Sequence, residues 1–178
     1  MSDLVADILE DVMRAEGWDR YTDHPDDRGG PTKWGITLKA YQDLVESEAT
    51  ASTIRALTES EARAFYFRFY VVEPSFDKVH PLVMPLLVDC GVNHGTKRAA
   101  KWFQKAVGAT QDGVIGPQTL AAAENITQSS IYLLICAYRF RFYGAIVTRD
   151  HSQATFASGW NNRGAKFLVA LADLLKAS

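Results

Sequence analysis

The chain has little cysteine, methionine or proline: 2, 3 and 6 residues among 178. Two cysteines are too few for a disulfide framework. A chain of this length buries about two-thirds of its unfolded surface and needs no such staples. Cys90 and Cys136 sit in apolar stretches and read as two small buried thiols, with a disulfide as the alternative. No uninterrupted apolar run approaches the roughly 18–20 residues of a membrane span, so membrane insertion is not expected. The first ten residues carry acids and no Lys or Arg, which is unlike a cleavable signal peptide. Synthesis in the cytoplasm is the expectation. The four histidines, His24, His80, His94 and His151, lack ligand spacing, so neither a metal nor a cofactor is expected. Asp112–Gly116 lacks the Lys-Ser/Thr that would make it a phosphate loop. No Ser/His/Asp or Cys/His order offers a nucleophile. Strand-like alternation, internal repeats and heptads are also missing, which points to a mainly helical monomer.

A net charge of −2 hides an asymmetry. Residues 1–89 carry 17 acids and 9 bases, and residues 90–178 carry 4 acids and 10 bases. The halves therefore stand at −8 and +6. We take the change near residue 89 as the boundary between two regions of one globule. The basic half suits an anionic polymer or envelope. A nucleic-acid face on Lys97, Arg98, Lys101 and Lys105 is disfavoured by the acidic half.

Helical spacing appears at 2–15 (Leu4, Val5, Ile8, Leu9, Val12, Met13) and again from Thr37 to Val45. Thr58 with Glu61 forms a capping-box pattern that opens a helix to about Tyr70. Pro81 suits the first turn of a helix to about Gly91. Helices are also expected from Thr96 to Gly108, after Pro117 to about Glu124, over about 129–149 and over about 162–176. The 129–149 segment is apolar almost all round and reads as the longest, central buried helix. Residues 17–35 break the pattern with Pro25, Gly29, Gly30, Pro31 and Gly35, and read as an irregular loop or small hairpin.

That loop lies in the most acidic stretch of the chain. Seven of the 21 carboxylates fall between residues 10 and 27. Glu16 follows the first helix and precedes Gly17 and Trp18. The negative end of a helix dipole and an apolar indole both disfavour a charged carboxylate. An acid kept protonated is what general-acid cleavage of a glycoside requires. A partner carboxylate would come from Asp26 or Asp27, beside the Gly29-Gly30 pair. The spacing of Asp26 to Thr32 favours Asp26, with Thr32 holding a water or orienting the carboxylate. Tyr21 and Trp34 offer flat faces for sugar rings. Tyr70, in the aromatic run Phe65–Tyr70, could reach the same groove. Asn93, in a turn between helices, could bond a sugar N-acetyl group.

The run Ala15-Glu16-Gly17-Trp18, followed by Asp26-Asp27-Arg28-Gly29-Gly30-Pro31-Thr32-Lys33-Trp34-Gly35-Ile36-Thr37, resembles the N-terminal signature of glycoside hydrolase family 108. These are the N-acetylmuramidases of phage endolysins and prophage-like bacterial lysozymes. Trp18 stands where the family often has Gly-Tyr. The second half resembles the family's peptidoglycan-binding region through Asp89–Gly95, Trp102-Phe103-Gln104, Asp112–Thr119, Arg139–Tyr143 and Gly159–Arg163. The resemblance implies a mainly α, lysozyme-like fold with the short loop or hairpin at the active site. It divides the chain into a catalytic region (1–89) and a helical wall-binding region (90–178). It also implies cleavage of the β-1,4 bond between N-acetylmuramic acid and N-acetylglucosamine. Glu16 would be the acid, with Asp26 and Thr32 in the Asp and Thr roles of phage-type lysozymes. Asp27, Tyr21, Trp34, Tyr70 and Asn93 would contact the glycan strand. Action at the wall would then need a holin-type pore or another export route. A lytic transglycosylase, or a non-catalytic wall-binding or secretion-associated module, are the competing readings.

Overall fold

The computed structural model describes residues 3–23 and 30–177. Among these the architecture is mainly helical, with a single two-stranded sheet. The chain divides into two units, Met1–Glu73 and Pro74–Ser178. The charge boundary near residue 89 instead falls within a helix of the second unit.

In the first unit, α1 (Asp3–Ala15) buries Val5, Ile8, Leu9, Val12 and Met13, the stripe its spacing predicts. Strands β1 (Thr32–Lys33) and β2 (Ile36–Thr37) pair antiparallel, with Thr32 opposite Thr37 and Lys33 opposite Ile36. Thr37 then caps α2 (Leu38–Leu44) by accepting from the Ala40 amide. After α3 (Ala51–Ala56), Thr58 and Glu61 close the expected capping box on α4 (Glu59–Tyr66). The helix does not continue regularly to Tyr70. It widens into π-helical turns over Phe67–Val72, a form that tends to occur at functional sites.

The second unit holds α5 (Met84–His94), α6 (Thr96–Ala106), α7 (Pro117–Glu124), α8 (Gln128–Arg149) and α9 (Ala154–Lys176). Pro81 does not open α5. His80 accepts from the Leu82 and Val83 amides to make a turn first, and Pro85 takes the first helical turn. The expectation of a fully buried α8 is also corrected. It buries one stripe (Ile131, Tyr132, Ile135, Cys136, Arg139, Tyr143) and exposes Leu133 and Leu134. By length and composition alone α8 could cross a membrane. Its inward stripe packs against α6 and α9. The last helix starts at Ala154, well before 162, and at 23 residues it exceeds α8. Gly164 does not break it: a Cβ there would lie 2.9 Å from the Phe140 ring, so the glycine is a packing notch.

Both cysteines are free and buried, and burial pushes the Cys90 thiol up to about 12 and Cys136 to about 11. A buried charge cluster ties three helices together. Asp89 of α5 pairs with Arg139 of α8 at 2.7 Å and with Arg163 of α9 at 2.8 Å. Arg139 also donates to the Tyr143 hydroxyl.

Candidate active site

Glu16 sits one residue beyond α1, its amide still bonded to the Val12 carbonyl at 3.0 Å. The chain then reverses through Gly17 (φ 103°) and Trp18 (φ 54°). Further on, Thr22 and Thr32 exchange backbone hydrogen bonds at 2.9 and 2.8 Å, which brings the loop's two ends together. The two-residue turn between β1 and β2 is Trp34-Gly35, both with positive φ (57° and 75°). This is the backbone twist of a type I′ hairpin, which ordinarily carries Asn-Gly or Asp-Gly.

A tryptophan in the left-handed region is strained by roughly 1–3 kcal/mol. Its surroundings hold it there. Trp34 is buried, its indole N–H donates to the Leu57 carbonyl at 3.0 Å, and the Trp18 ring meets it edge-on at 5.5 Å. The Tyr66 hydroxyl donates to the Trp34 carbonyl at 2.9 Å. Lys33 adds bonds to the Arg55 and Leu57 carbonyls.

Gly35 is the point where these pieces meet Glu16. A Cβ at this position would collide with Glu16 Cβ and lie 2.7 Å from the Tyr66 hydroxyl oxygen. Only glycine admits both the positive φ and this approach. Tyr70 lies beside Tyr66, ring centres 5.5 Å apart. Burial, and secondly the negative charge of Glu16, hold the Tyr70 hydroxyl above its ordinary range. The hairpin and the α4–π segment thus bring Glu16, Trp34, Gly35, Tyr66 and Tyr70 into one neighbourhood.

The other expected residues are placed as follows. Asp26 and Asp27 lie outside the described residues. The Thr32 hydroxyl donates to the Gly30 carbonyl at 2.9 Å, at the loop's returning end. Tyr21 donates to Asp23 at 3.0 Å, and the Arg55 guanidinium stands 4.4 Å over its ring. The expectation that Trp34 offers an open face to sugar needs correction. It is only 6% exposed, and it serves instead as the internal brace of the hairpin. Asn93 is not in a turn: it lies in the last turn of α5, in the second unit, and donates to the Asp89 carbonyl at 2.8 Å. Sequence reading missed Tyr66 as a site residue. Its ring is buried, and the tip of the ring makes a polar contact to the hairpin.

In the second unit, the Asp112–Thr119 segment is organised by Gln104, which is 1% exposed. Its side-chain amide donates to Asp112 at 2.6 Å and to the Val114 carbonyl at 3.0 Å, and accepts from the Gly113 amide at 2.8 Å. A shallow groove of about 610 Å³ runs beside this turn, lined in part by Gly108, Thr110, Asp112 and Gln118. Lys97, Arg98 and Lys105 are exposed on α6. Among the described residues no three His, Cys, Asp or Glu side chains gather to hold a metal ion.

Comparison with known proteins places this geometry in context. Residues 9–95 match the family model Glycosyl hydrolase 108, and residues 98–165 match the model Predicted Peptidoglycan domain. The solved structure of SagA from Brucella abortus superposes with a TM-score of 0.80 at 31% identity, covering 95% of this chain and 94% of that one. No curated protein matches the chain.

Proposed function

The chain belongs to glycoside hydrolase family 108, and from that premise we propose that it cleaves the β-1,4 bond between N-acetylmuramic acid and N-acetylglucosamine with Glu16 as general acid. That it is a lysozyme-like glycoside hydrolase acting on peptidoglycan follows from the family and from its peptidoglycan domain. The bond and the acid are our reading. One observation carries it: a carboxylate at a helix end, resting against the strained Trp34-Gly35 turn.

In this reading Glu16 protonates the leaving glycosidic oxygen as the bond breaks and oxocarbenium character builds at the sugar. The second carboxylate is Asp26, chosen over Asp27 for its spacing to Thr32. It stabilises or attacks that centre directly or through a water. Thr32 anchors the returning end of the loop that carries it. The protein acts at the cell wall on glycan strands.

The test is digestion of purified Gram-negative sacculi by wild type and Glu16→Gln, followed by mass spectrometry of the products. Wild type should release fragments with a reducing-end muramic acid, and the variant should be slower by roughly 10²-fold or more. Equal release by both proteins would remove Glu16 from the role. Products ending in 1,6-anhydromuramic acid would make the protein a lytic transglycosylase instead.

A further inference from the structure

We propose that the Tyr66 hydroxyl is a positioning group for Glu16, acting through the Trp34-Gly35 turn; this rests on the reading of Glu16 as the acid. Tyr66 is 2% exposed and so does not touch the glycan. Its ring lies in the aromatic cluster of Phe65, Tyr66 and Tyr70, and its hydroxyl leaves that cluster to donate to the Trp34 carbonyl at 2.9 Å. That carbonyl belongs to the one non-glycine residue of a turn whose two φ angles are both positive. A strained conformation of this kind persists only where its surroundings over-determine it. The hydroxyl is one of three constraints, with the Leu57 carbonyl on the indole N–H and the Trp18 ring on the indole edge.

The consequence reaches Glu16 through contact. Gly35 presents its Cα to the Glu16 side chain and to the Tyr66 oxygen at once, each too close to admit a methyl group. If the turn relaxes, the wall behind the Glu16 methylenes moves. A displacement of about 1 Å at a reacting group is enough to lower a rate by up to 10²-fold. Tyr70, in the π-helical turns that follow, lies beside Tyr66 with ring centres 5.5 Å apart and packs the ring whose hydroxyl reaches the turn.

The experiment compares wild type, Tyr66→Phe, Gly35→Ala and Glu16→Gln for kcat and KM on solubilised glycan strands, each normalised to the folded fraction measured by circular dichroism. Tyr66→Phe keeps the buried ring and removes only the hydroxyl. Its kcat per folded molecule should fall roughly ten-fold with KM within two-fold of wild type, the pattern of an interaction lost in the transition state rather than in substrate binding. Gly35→Ala should lower kcat at least as far, because its methyl meets Glu16 directly. The double variant Tyr66→Phe/Gly35→Ala should be no worse than about the poorer single one, since both act through one turn. A wild-type kcat in Tyr66→Phe, or a raised KM with kcat unchanged, overturns the proposal. Should Tyr66→Phe not fold, Gly35→Ala decides by the same criterion, with wild-type kcat as the contrary result. If Glu16→Gln is inactive while both turn variants match wild type, only the positioning role fails. If Glu16→Gln stays active, the reading of the acid falls and the positioning role with it.

Discussion

Each unit of the molecule pins a tight turn with one buried polar side chain, yet the two turns serve different ends. In the first unit the Tyr66 hydroxyl holds Trp34-Gly35, and that turn presses on Glu16. In the second, Gln104 holds Asp112-Gly113-Val114, and a Cβ on Gly113 would meet the Lys97 side chain at 2.6 Å. Gln104 leaves the left-handed backbone to a glycine (φ 86°), where it is free of side-chain strain. Tyr66 holds a tryptophan there, and a second tryptophan, Trp18, is left-handed just after Glu16. Strain carried by bulky residues therefore collects around the carboxylate, while the Gln104 turn is relaxed. A fully satisfied polar anchor stabilises in both places. Only in the first does the anchored turn also rest against Glu16, the carboxylate we propose as the acid.

The sharpest way to break this comparison is to remove one centre from each side. Glu16→Gln should slow lysis by roughly 10²-fold or more with an unchanged melting temperature, because it removes the proposed proton donor and little packing. Gln104→Ala should do the reverse. It leaves the Gly113 amide without its acceptor and opens a cavity, at a cost of about 2–3 kcal/mol. The expected readout is a melting temperature lower by roughly 5–10 °C. Hydrolysis of soluble glycan per folded molecule should stay near wild type. A Gln104→Ala protein that melts like wild type would mean that the turn is held by its backbone alone.

Much of this division was legible in the amino-acid order, and the missing parts have physical reasons. The amphipathic stripe of α1, the Thr58–Glu61 capping box and the short hairpin depend on local spacing, so sequence reading reaches them. Glu16 stood out because a carboxylate at a helix end in a crowded acidic loop is locally anomalous. Trp34 was misread as an open sugar platform because exposure is a tertiary property: its burial depends on Leu57 and Trp18, distant in the chain or across the loop. Tyr66 was missed for a similar reason. Its hydroxyl meets a carbonyl 32 residues away, a contact that no local pattern encodes. The last helix was expected from about 162 and starts at Ala154, with Phe140 filling the notch at Gly164 inside it. Asp26 and Asp27, the expected second carboxylate and its neighbour, lie outside the described residues.

A smaller effect separates the units by pH. His94, at the end of α5, is surrounded by the rings of Trp102, Phe142 and Tyr143. Burial, then the nearby Arg139, lowers it to about 4, with Asp89 opposing and Arg98 and Arg163 adding to the depression. The folded state therefore binds fewer protons than the unfolded chain between the ordinary histidine value of about 6.5 and about 4. Stability from the neutral ring is fully present above pH 6.5 and is lost as pH falls toward 4. His94→Phe should flatten the fall of melting temperature across that window. An identical slope in wild type and variant would show that other groups govern the acid transition.

The smallest expected effect concerns substrate capture and sharpens the contrast at the surface. The first 89 residues are net acidic and the remainder net basic, with Lys97, Arg98 and Lys105 exposed on one helix. Exposed charges act over about 8–10 Å at physiological ionic strength and are screened beyond that. If this basic face draws the enzyme to an anionic envelope, lysis of whole cells should fall several-fold between low and high salt. Hydrolysis of soluble neutral glycan fragments should change little, because the proposed role of Glu16 does not draw on this face. The double variant Lys97→Ala/Lys105→Ala should lower cell lysis at low salt by a few-fold and reduce the salt dependence together with it. The coupling of those two losses is the decisive feature. A variant that loses lysis but keeps the wild-type salt slope would place the attraction elsewhere, and a wild type indifferent to salt would leave the charge asymmetry without a role in capture.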